Sequence, residues 1–528
     1  MVLRRLWPAT PRALRVVKRG VAAGVALALV VGVAWAAQPS VHRVGALTAG
    51  VARAGQLPAV DCAALLQQSL PQAHITAAVS LKAEGDQPAQ CRVSVTLTPS
   101  TDSDIKMQLW LPLSGWNGKF MMVGNGGWSG AVPVAAMTEP LRRGYAVAGT
   151  DTGHEGGRGS FAFGHPEKLI DFSHRAVHET VVKGKALTAA FYGGQPRYAY
   201  WNGCSSGGKQ GLKAVQQYPE DFDGVVVGAP ANDWVRQQAR WTSTLIANLP
   251  KDKPAVLGAE QFALLHKAAL AQCDARDGLK DDEIQDPRAC DFKASSLACK
   301  AGDAPGSCLT AEQMAVADRI YAPLRNAANG ELIAPGLAPG SEGGWGSSVS
   351  RPSDVAIDTF AVALGNPSWD PQSLDAARDV PAARRGAPGL DALNTDLSAF
   401  KSRGGRILSY HGWADPGIPT EQTINYYESV VAKQGGLPQT QSFYRLFLVP
   451  AMGHCSGAYS ADWISTLEQW VESARAPDVV LAQHLPTSGT RPMCAYPNVA
   501  RLQGGNGEQP VDWVCSAAPR GARAGHSN

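Results

Sequence analysis

From Lys119 onward the chain alternates two kinds of apolar pattern. The runs "KFMMVGNGG", "YAVAGTD", "RYAYWNG" and "FDGVVVGAPA" are short and almost continuously apolar. Between them come stretches of helical periodicity, from His174 to Phe191 and through "GKQGLKAVQQYP". A strand that is apolar on both sides is covered on both faces, so this order predicts a mainly parallel α/β sheet flanked by helices. The pattern stops near Ala231. From 232 to 397 the chain is rich in Gly, Pro, Ala and Asp, with helical stretches such as "AEQFALLHKAALAQ" and no regular strands. A block of that length is too large for a loop and predicts an inserted cap or lid domain. The sheet resumes in "GRILSYHGWAD" and "YRLFLVPAMGHC". The core therefore falls into two parts, 37–231 and 398–518, and residues 519–528 read as a disordered tail.

Composition adds a compartment to this picture. The 528 residues, 45% hydrophobic and 18% charged, suit an ordinary globular protein with a sizeable core. The first 36 residues hold six basic side chains and no acidic one, then an apolar run ending in Ala34-Trp35-Ala36, the pattern of a secretory signal peptide. A retained membrane anchor is the alternative, although the run is short for a span. Of the formal net charge of +3, those six account for more than the whole, leaving −3 on the remainder. No basic surface argues for nucleic acid. With no later apolar run, no stable membrane span is expected in the mature chain, and secreted or periplasmic localisation follows. All ten cysteines lie beyond residue 36, so disulfides are the default there. The close spacings Cys62/Cys91, Cys273/Cys290, Cys299/Cys308 and Cys494/Cys515 suggest local pairs and leave Cys204 and Cys455 over.

Candidate chemistry centres on "WNGCSSGG". Its Gly203-x-Ser205-x-Gly207 frame fits a nucleophile elbow, a sharp strand-to-helix turn that presents a strained serine. Hydrolases of this kind carry serine, acid and histidine after successive strands in the order Ser, Asp, His. Ser205 follows "RYAYW", Asp415 follows "RILSYHGW" and His454 follows "RLFLVPAMG". The histidine would take the serine proton, and the carboxylate would hold the imidazole in its working tautomer. The expected fold is therefore an α/β-hydrolase fold with a large inserted lid domain. His411, His484 and His526 are rival bases, better suited to surface or loop roles. Oxyanion donors are expected from the amide of Ser206 and from the loop "GNGGWSG", at Gly127 or its neighbour Gly126. Cys204 remains open at this point as either a second nucleophile or a tied-up thiol.

The lid stretch "CDARDGLKDDEIQDP" places Asp274, Asp277 and Asp281 around Gly278. A calcium ion would relieve their repulsion, with Leu279 and Glu283 offering carbonyls; a solvated acidic turn accounts for the charges equally well.

In "GCSSGG", "HGWAD", "GHCSG", "GNGG" and the acidic stretch, the chain resembles the tannase and feruloyl esterase family, which includes the bacterial mono(2-hydroxyethyl) terephthalate hydrolase. The resemblance covers nearly all the mature chain. It implies a Cys204–Cys455 disulfide, the four local pairs named above, and a structural calcium site at Asp274, Asp277, Asp281 and the carbonyls of Leu279 and Glu283. Asp282 stands where the family usually has glycine. The implied activity is hydrolysis of small aromatic esters, feruloyl or galloyl, through an acyl-enzyme. Terephthalate monoesters are the alternative; Arg351 and Ile418 depart from that member's pocket. Trp345 is a candidate wall for the aromatic acyl group. A non-catalytic phenolic or carbohydrate binding protein is a reading of a different class, and the Ser, Asp, His order disfavours it.

Overall fold

The computed structural model describes residues 50–518, apart from 52 and 305. The signal segment expected at 1–36, the tail at 519–528 and His526 lie outside the described residues. Strands β1 (Ala73–Leu81), β2 (Gln90–Leu97) and β3 (Ile105–Pro112) come first, then β4 (Lys119–Val123), β5 (Ala146–Thr150), β6 (Tyr198–Cys204) and β7 (Gly224–Gly228). A short hairpin, β8 (Leu324–Arg325) and β9 (Leu332–Ala334), precedes β10 (Arg406–Gly412) and β11 (Tyr444–Val449). The main sheet has nine strands in the order β1-β2-β3-β5-β4-β6-β7-β10-β11. Its first three strands pair antiparallel, as does β3 with β5. The six from β5 to β11 are all parallel.

The near-continuous apolar runs are the parallel strands, and each splits its side chains between two cores. In β4, Phe120 and Met122 join Trp201, Val225, Val227 and Ile407 on one face, beneath the helix Ala176–Tyr192. Met121 and Val123 join Tyr200, Val226, Leu408 and Phe447 on the other, against Leu141, Leu467 and Trp470 of two further helices. Period-two alternation with both faces buried is what makes these strands read as unbroken apolar runs. Along the antiparallel strands β1 to β3 polar positions, exposed in β1 and half-buried in β2 and β3, alternate with buried apolar ones, and the pattern from Lys119 did not include them.

Between β7 and β10, which are neighbours in the sheet, the chain leaves to form an insertion of helices. The principal ones are Trp234–Asn248, Ala259–Cys273, Ala311–Tyr321, Asp354–Ala363 and Ala376–Gly386. One side of the insertion has its own core around Phe262, Leu265, Ile320 and Trp345. The other packs Trp234, Phe360 and Trp369 against Trp128 and Phe172, which come from the connections after β4 and β5.

The C-terminal region is more ordered than its sequence suggests. It builds a three-stranded antiparallel sheet of β12 (Tyr459–Ser460), β13 (Val479–His484) and β14 (Thr490–Cys494), then a hairpin of β15 (Asn498–Leu502) and β16 (Trp513–Ala517). His484 is accordingly not a loop residue. It is buried on β13, with Nε2 at 3.0 Å from Glu283 Oε1.

Candidate active site

Because the strands from β5 to β11 run parallel, their carboxyl ends share one edge, where the crevice of an open α/β sheet forms. The loops after β4, β6, β10 and β11 all emerge there. Ser205 follows β6 directly and has φ 64° and ψ −124°, a conformation few non-glycine residues adopt. Backbone bonds hold that strain: the Ser205 N–H donates to Gly228 O at 3.0 Å, and Ala231 and Lys209 donate to Ser205 O at 3.1 and 3.0 Å. Glycine at 203 has a steric reason, since a Cβ there would lie 2.7 Å from the backbone of Gly207.

Asp415 sits on the loop after β10 and is fully buried, and four donors surround its carboxylate. Oδ1 accepts the N–H groups of Gly417 at 2.8 Å and Ile418 at 2.9 Å. Oδ2 accepts His454 Nδ1–H at 2.7 Å and His411 Nε2–H at 3.1 Å. Burial alone would raise the Asp415 carboxyl, but the two imidazole bonds outweigh it and hold it well below the usual carboxylate range. Burial likewise pulls His454 down, and the bond to Asp415 and its charge more than compensate, leaving the imidazole above its ordinary value. The His454 side chain is 37% exposed, so the ring reaches from its buried partner toward solvent.

His411 is not the surface or loop histidine its sequence position suggested. It is completely buried at the end of β10, with Nδ1 at 2.8 Å from Thr423 Oγ1 and Nε2 at 3.1 Å from Ile418 O. Its residue number carries a signal: His411 lies four positions after Ile407 in one strand, so both point to the same covered face.

A disulfide joins Cys204 and Cys455, the residues flanking Ser205 and His454, with Cα atoms 6.0 Å apart. The other four bonds are Cys62–Cys91, Cys273–Cys290, Cys299–Cys308 and Cys494–Cys515, so no cysteine is free among the described residues. Cys204 has no thiol to act as a nucleophile.

Ser206 opens the helix Ser206–Gln217, so its amide lacks an intrahelical acceptor. Gly127 has φ +49° in the loop after β4, where glycine adopts the left-handed region at little cost. Among the described residues neither amide donates to a protein acceptor. That loop is pinned by residues the motif reading overlooked. Asn125 N–H donates to Gln210 Oε1 at 2.9 Å, and Asn125 Nδ2 donates to Thr150 O at 2.8 Å. Gln210 lies on the helix that begins at Ser206, so one helix positions both candidate donor segments.

Residues of the insertion meet the loops at this edge. Trp128 Nε1–H donates to Val355 O at 3.2 Å, and Val355 Cγ2 lies 3.4 Å from where a Cβ on Gly127 would be. Arg158 makes a bidentate pair with Asp358, both bonds 2.7 Å, and the Gly159 amide adds a third. Half-buried Trp241 puts its ring edge 3.4 Å from the equivalent Cβ position on Gly417, beside the Asp415 loop. Trp345 does not reach this surface. It has no exposed area, bonds Ser341 Oγ through Nε1 at 2.9 Å and packs on Phe262 and Tyr321 inside the insertion. Ile418 is buried beside the insertion helices, and Arg351 is exposed.

The chain matches the family described as "Tannase and feruloyl esterase" over residues 91–356 and 348–516. A probable feruloyl esterase B-1 of Aspergillus flavus is 34% identical over 457 residues, covering 80% of this chain and 86% of that protein. The chain belongs to the tannase and feruloyl esterase family. An uncharacterized esterase of Xanthomonas campestris is 35% identical, over 87% of this chain and 92% of that one. The crystal structure of feruloyl esterase B from Aspergillus oryzae superposes with a TM-score of 0.81 at 30% identity, covering 86% of this chain and all of that one. As a tannase and feruloyl esterase family member, the protein is a carboxylic ester hydrolase.

The acidic stretch of this esterase forms a tight loop beside β13 and β14. Asp274 accepts the N–H groups of Asp281 and Asp282, each at 3.0 Å, and Asp277 accepts that of Leu279 at 3.0 Å. Asp281 Oδ2 pairs with Arg491 at 2.5 Å, while its Oδ1 is buried without a partner among the described residues. The Glu283 side chain is taken by Tyr459 at 2.5 Å and His484. That leaves its main chain as the part available to a cation. Among the described residues no three His, Cys, Asp or Glu side chains converge as a metal cage.

Proposed function

We propose that the protein hydrolyses esters of small phenolic acids, feruloyl or galloyl, with Ser205 as nucleophile, His454 as base and Asp415 as the acid that orients it. The observations that carry this reading are the strained, bond-held Ser205, the Asp415–His454 pair, and the disulfide that joins Cys204, next to the serine, to Cys455, next to the histidine. In the first step His454 Nε2 takes the Ser205 hydroxyl proton as Oγ attacks the ester carbonyl. The amides of Ser206 and Gly127 receive the developing oxyanion. His454 then returns the proton to the departing alcohol, leaving the aromatic acid on Ser205. Water, deprotonated by the same imidazole, releases it. The fold in this reading is that of an α/β hydrolase, and 232–397 is its lid. Val355 and Trp241 replace Trp345 as the walls nearest the reacting centre.

Five disulfides suit an oxidising compartment, and with the basic and apolar N-terminal segment they support export to the periplasm or beyond. The lid loop is proposed to hold a structural calcium through Asp274, Asp277, Asp281 and the carbonyls of Leu279 and Glu283. Its all-oxygen donors and the unpartnered buried Asp281 Oδ1 fit such an ion. No step of the reaction runs through it.

The test is a comparison of kcat/KM on methyl ferulate, methyl gallate, mono(2-hydroxyethyl) terephthalate and a plain acetate ester. The two phenolic esters are expected to exceed acetate by at least about tenfold, the scale an apolar pocket can discriminate. A preference for the terephthalate ester, or none among the four, would overturn the substrate assignment.

A further inference from the structure

The Asp415 carboxylate receives a donor that a serine-histidine-aspartate arrangement does not require. His411 lies with Nε2 3.1 Å from Asp415 Oδ2 and also 3.1 Å from Ile418 O, two acceptors. Nε2 therefore carries a proton, and Nδ1, 2.8 Å from Thr423 Oγ1, accepts from that hydroxyl in the neutral ring. His411 and Thr423 both have no exposed area, so water does not substitute for any of these bonds. One imidazole thus spans the carboxylate and the backbone of the loop whose Gly417 and Ile418 amides hold its other oxygen.

We propose that His411 is a positioning residue for catalysis: its Nε2–H fixes the Asp415 carboxylate and takes a share of the Oδ2 charge that would otherwise act on His454 alone. This rests on the triad reading above. The titratable groups in contact with it are Asp415 on the loop after β10 and, through the shared Oδ2, His454 on the loop after β11. The helix Thr420–Lys433 contributes only the Thr423 hydroxyl.

The direction of the effect follows from electrostatics. With the His411 donor removed, Oδ2 keeps a single partner, and its undivided charge favours the protonated form of His454. The base is active only when neutral, so the acid limb of kcat/KM, which reports the free enzyme, moves to higher pH. A residue that merely fills space would lower kcat or stability and leave that limb where it was.

The experiment measures kcat/KM against pH on a phenolic ester for the full chain and for His411→Phe, His411→Gln, Thr423→Val and Ser205→Ala. His411→Phe is expected to move the acid limb up by roughly half a pH unit or more, a size suited to losing one hydrogen bond to a charged group. His411→Gln keeps an N–H near the Nε2 position and is expected to return the limb most of the way. A limb unmoved in folded His411→Phe, whatever the loss in kcat, overturns the proposal. If that variant does not fold, Thr423→Val decides, since freeing Nδ1 loosens the ring and should move the limb the same way by less; an unmoved limb there also overturns it. Hydrolysis surviving Ser205→Ala would instead remove the triad reading itself, and the two failures are thereby distinct.

Discussion

At the scale of single residues, the arrangement turns on how many donors each oxygen receives. Asp415 accepts only N–H groups, two from imidazoles and two from the backbone. In Asp415→Asn, an amide NH2 must face either the imidazoles or the backbone N–H groups, and His454 loses the acceptor that fixes its tautomer. A fall in kcat of about 10⁴-fold is expected, with the fold retained as judged by melting. Trp345 makes the opposite expectation. Its ring sits in the insertion's own core, so Trp345→Ala should destabilise by about 3 to 5 kcal/mol in denaturant titration, the usual cost of truncating a buried aromatic. Below the melting temperature KM should scarcely change, and a large rise in KM with stability intact would reinstate it as a pocket wall. Ser205, Asp415 and His454 could be found in the sequence because each follows an apolar run at a break in the pattern. Trp345 could not be placed, because residue type alone does not say which side of an element a ring faces; the signal for His411 lay in its alternation with Ile407 along β10.

At the scale of elements, the helix Ser206–Gln217 organises the site and carries an unusual burden. Lys209, one turn past Ser205, has no exposed area, and its amine lies 4.1 Å from the Trp234 ring and 4.7 Å from the Phe172 ring, with no hydrogen-bond partner among the described residues. Burial, then the charge of Lys213, pushes the amine down to about 7, against a partial offset from Asp391. The unfolded chain, with an ordinary lysine near 10.4, then binds more protons than the folded protein between those values. Stability from this group therefore rises with pH through that window. Lys209→Met should raise the melting temperature at pH 6 and do so by less at pH 9; an equal effect at both would contradict the assignment. The parallel strands were legible because burial on two faces writes one apolar run. Strands β1 to β3 were not, since polar positions alternate with buried apolar ones along them, nor was the C-terminal sheet, where β13 is exposed on one side and β12 is two residues long.

At the scale of the molecule, the Cys204–Cys455 bond spans 251 positions and joins the two halves of the core across the insertion. On the chain-entropy view a loop of that size contributes about 5 kcal/mol. Its position beside Ser205 and His454 gives it a second effect, holding two loops from separate halves in register. Titration with reductant should abolish hydrolysis before the melting transition shifts, if this bond is the first to open; simultaneous loss would make the bond purely structural. Chelation should lower the melting temperature while leaving the initial rate at 25 °C nearly unchanged, the outcome expected of the proposed structural calcium at Asp274, Asp277 and Asp281. The overall order of sheet, insertion and sheet could be read from where the apolar pattern stops and resumes. How the insertion meets the sheet could not, because Trp128, Val355, Arg158 and Asp358 come together only through packing between distant segments.

The central claim is that the aromatic acid passes through a covalent ester on Ser205. Acid quenching of the enzyme during turnover of methyl ferulate, followed by proteolysis and mass spectrometry, tests it directly. The peptide containing Ser205 should carry the feruloyl mass in the wild-type protein and not in Ser205→Ala, which should also lose at least about 10⁴-fold in kcat. A feruloyl group on any other residue, or full turnover by Ser205→Ala, would contradict the mechanism.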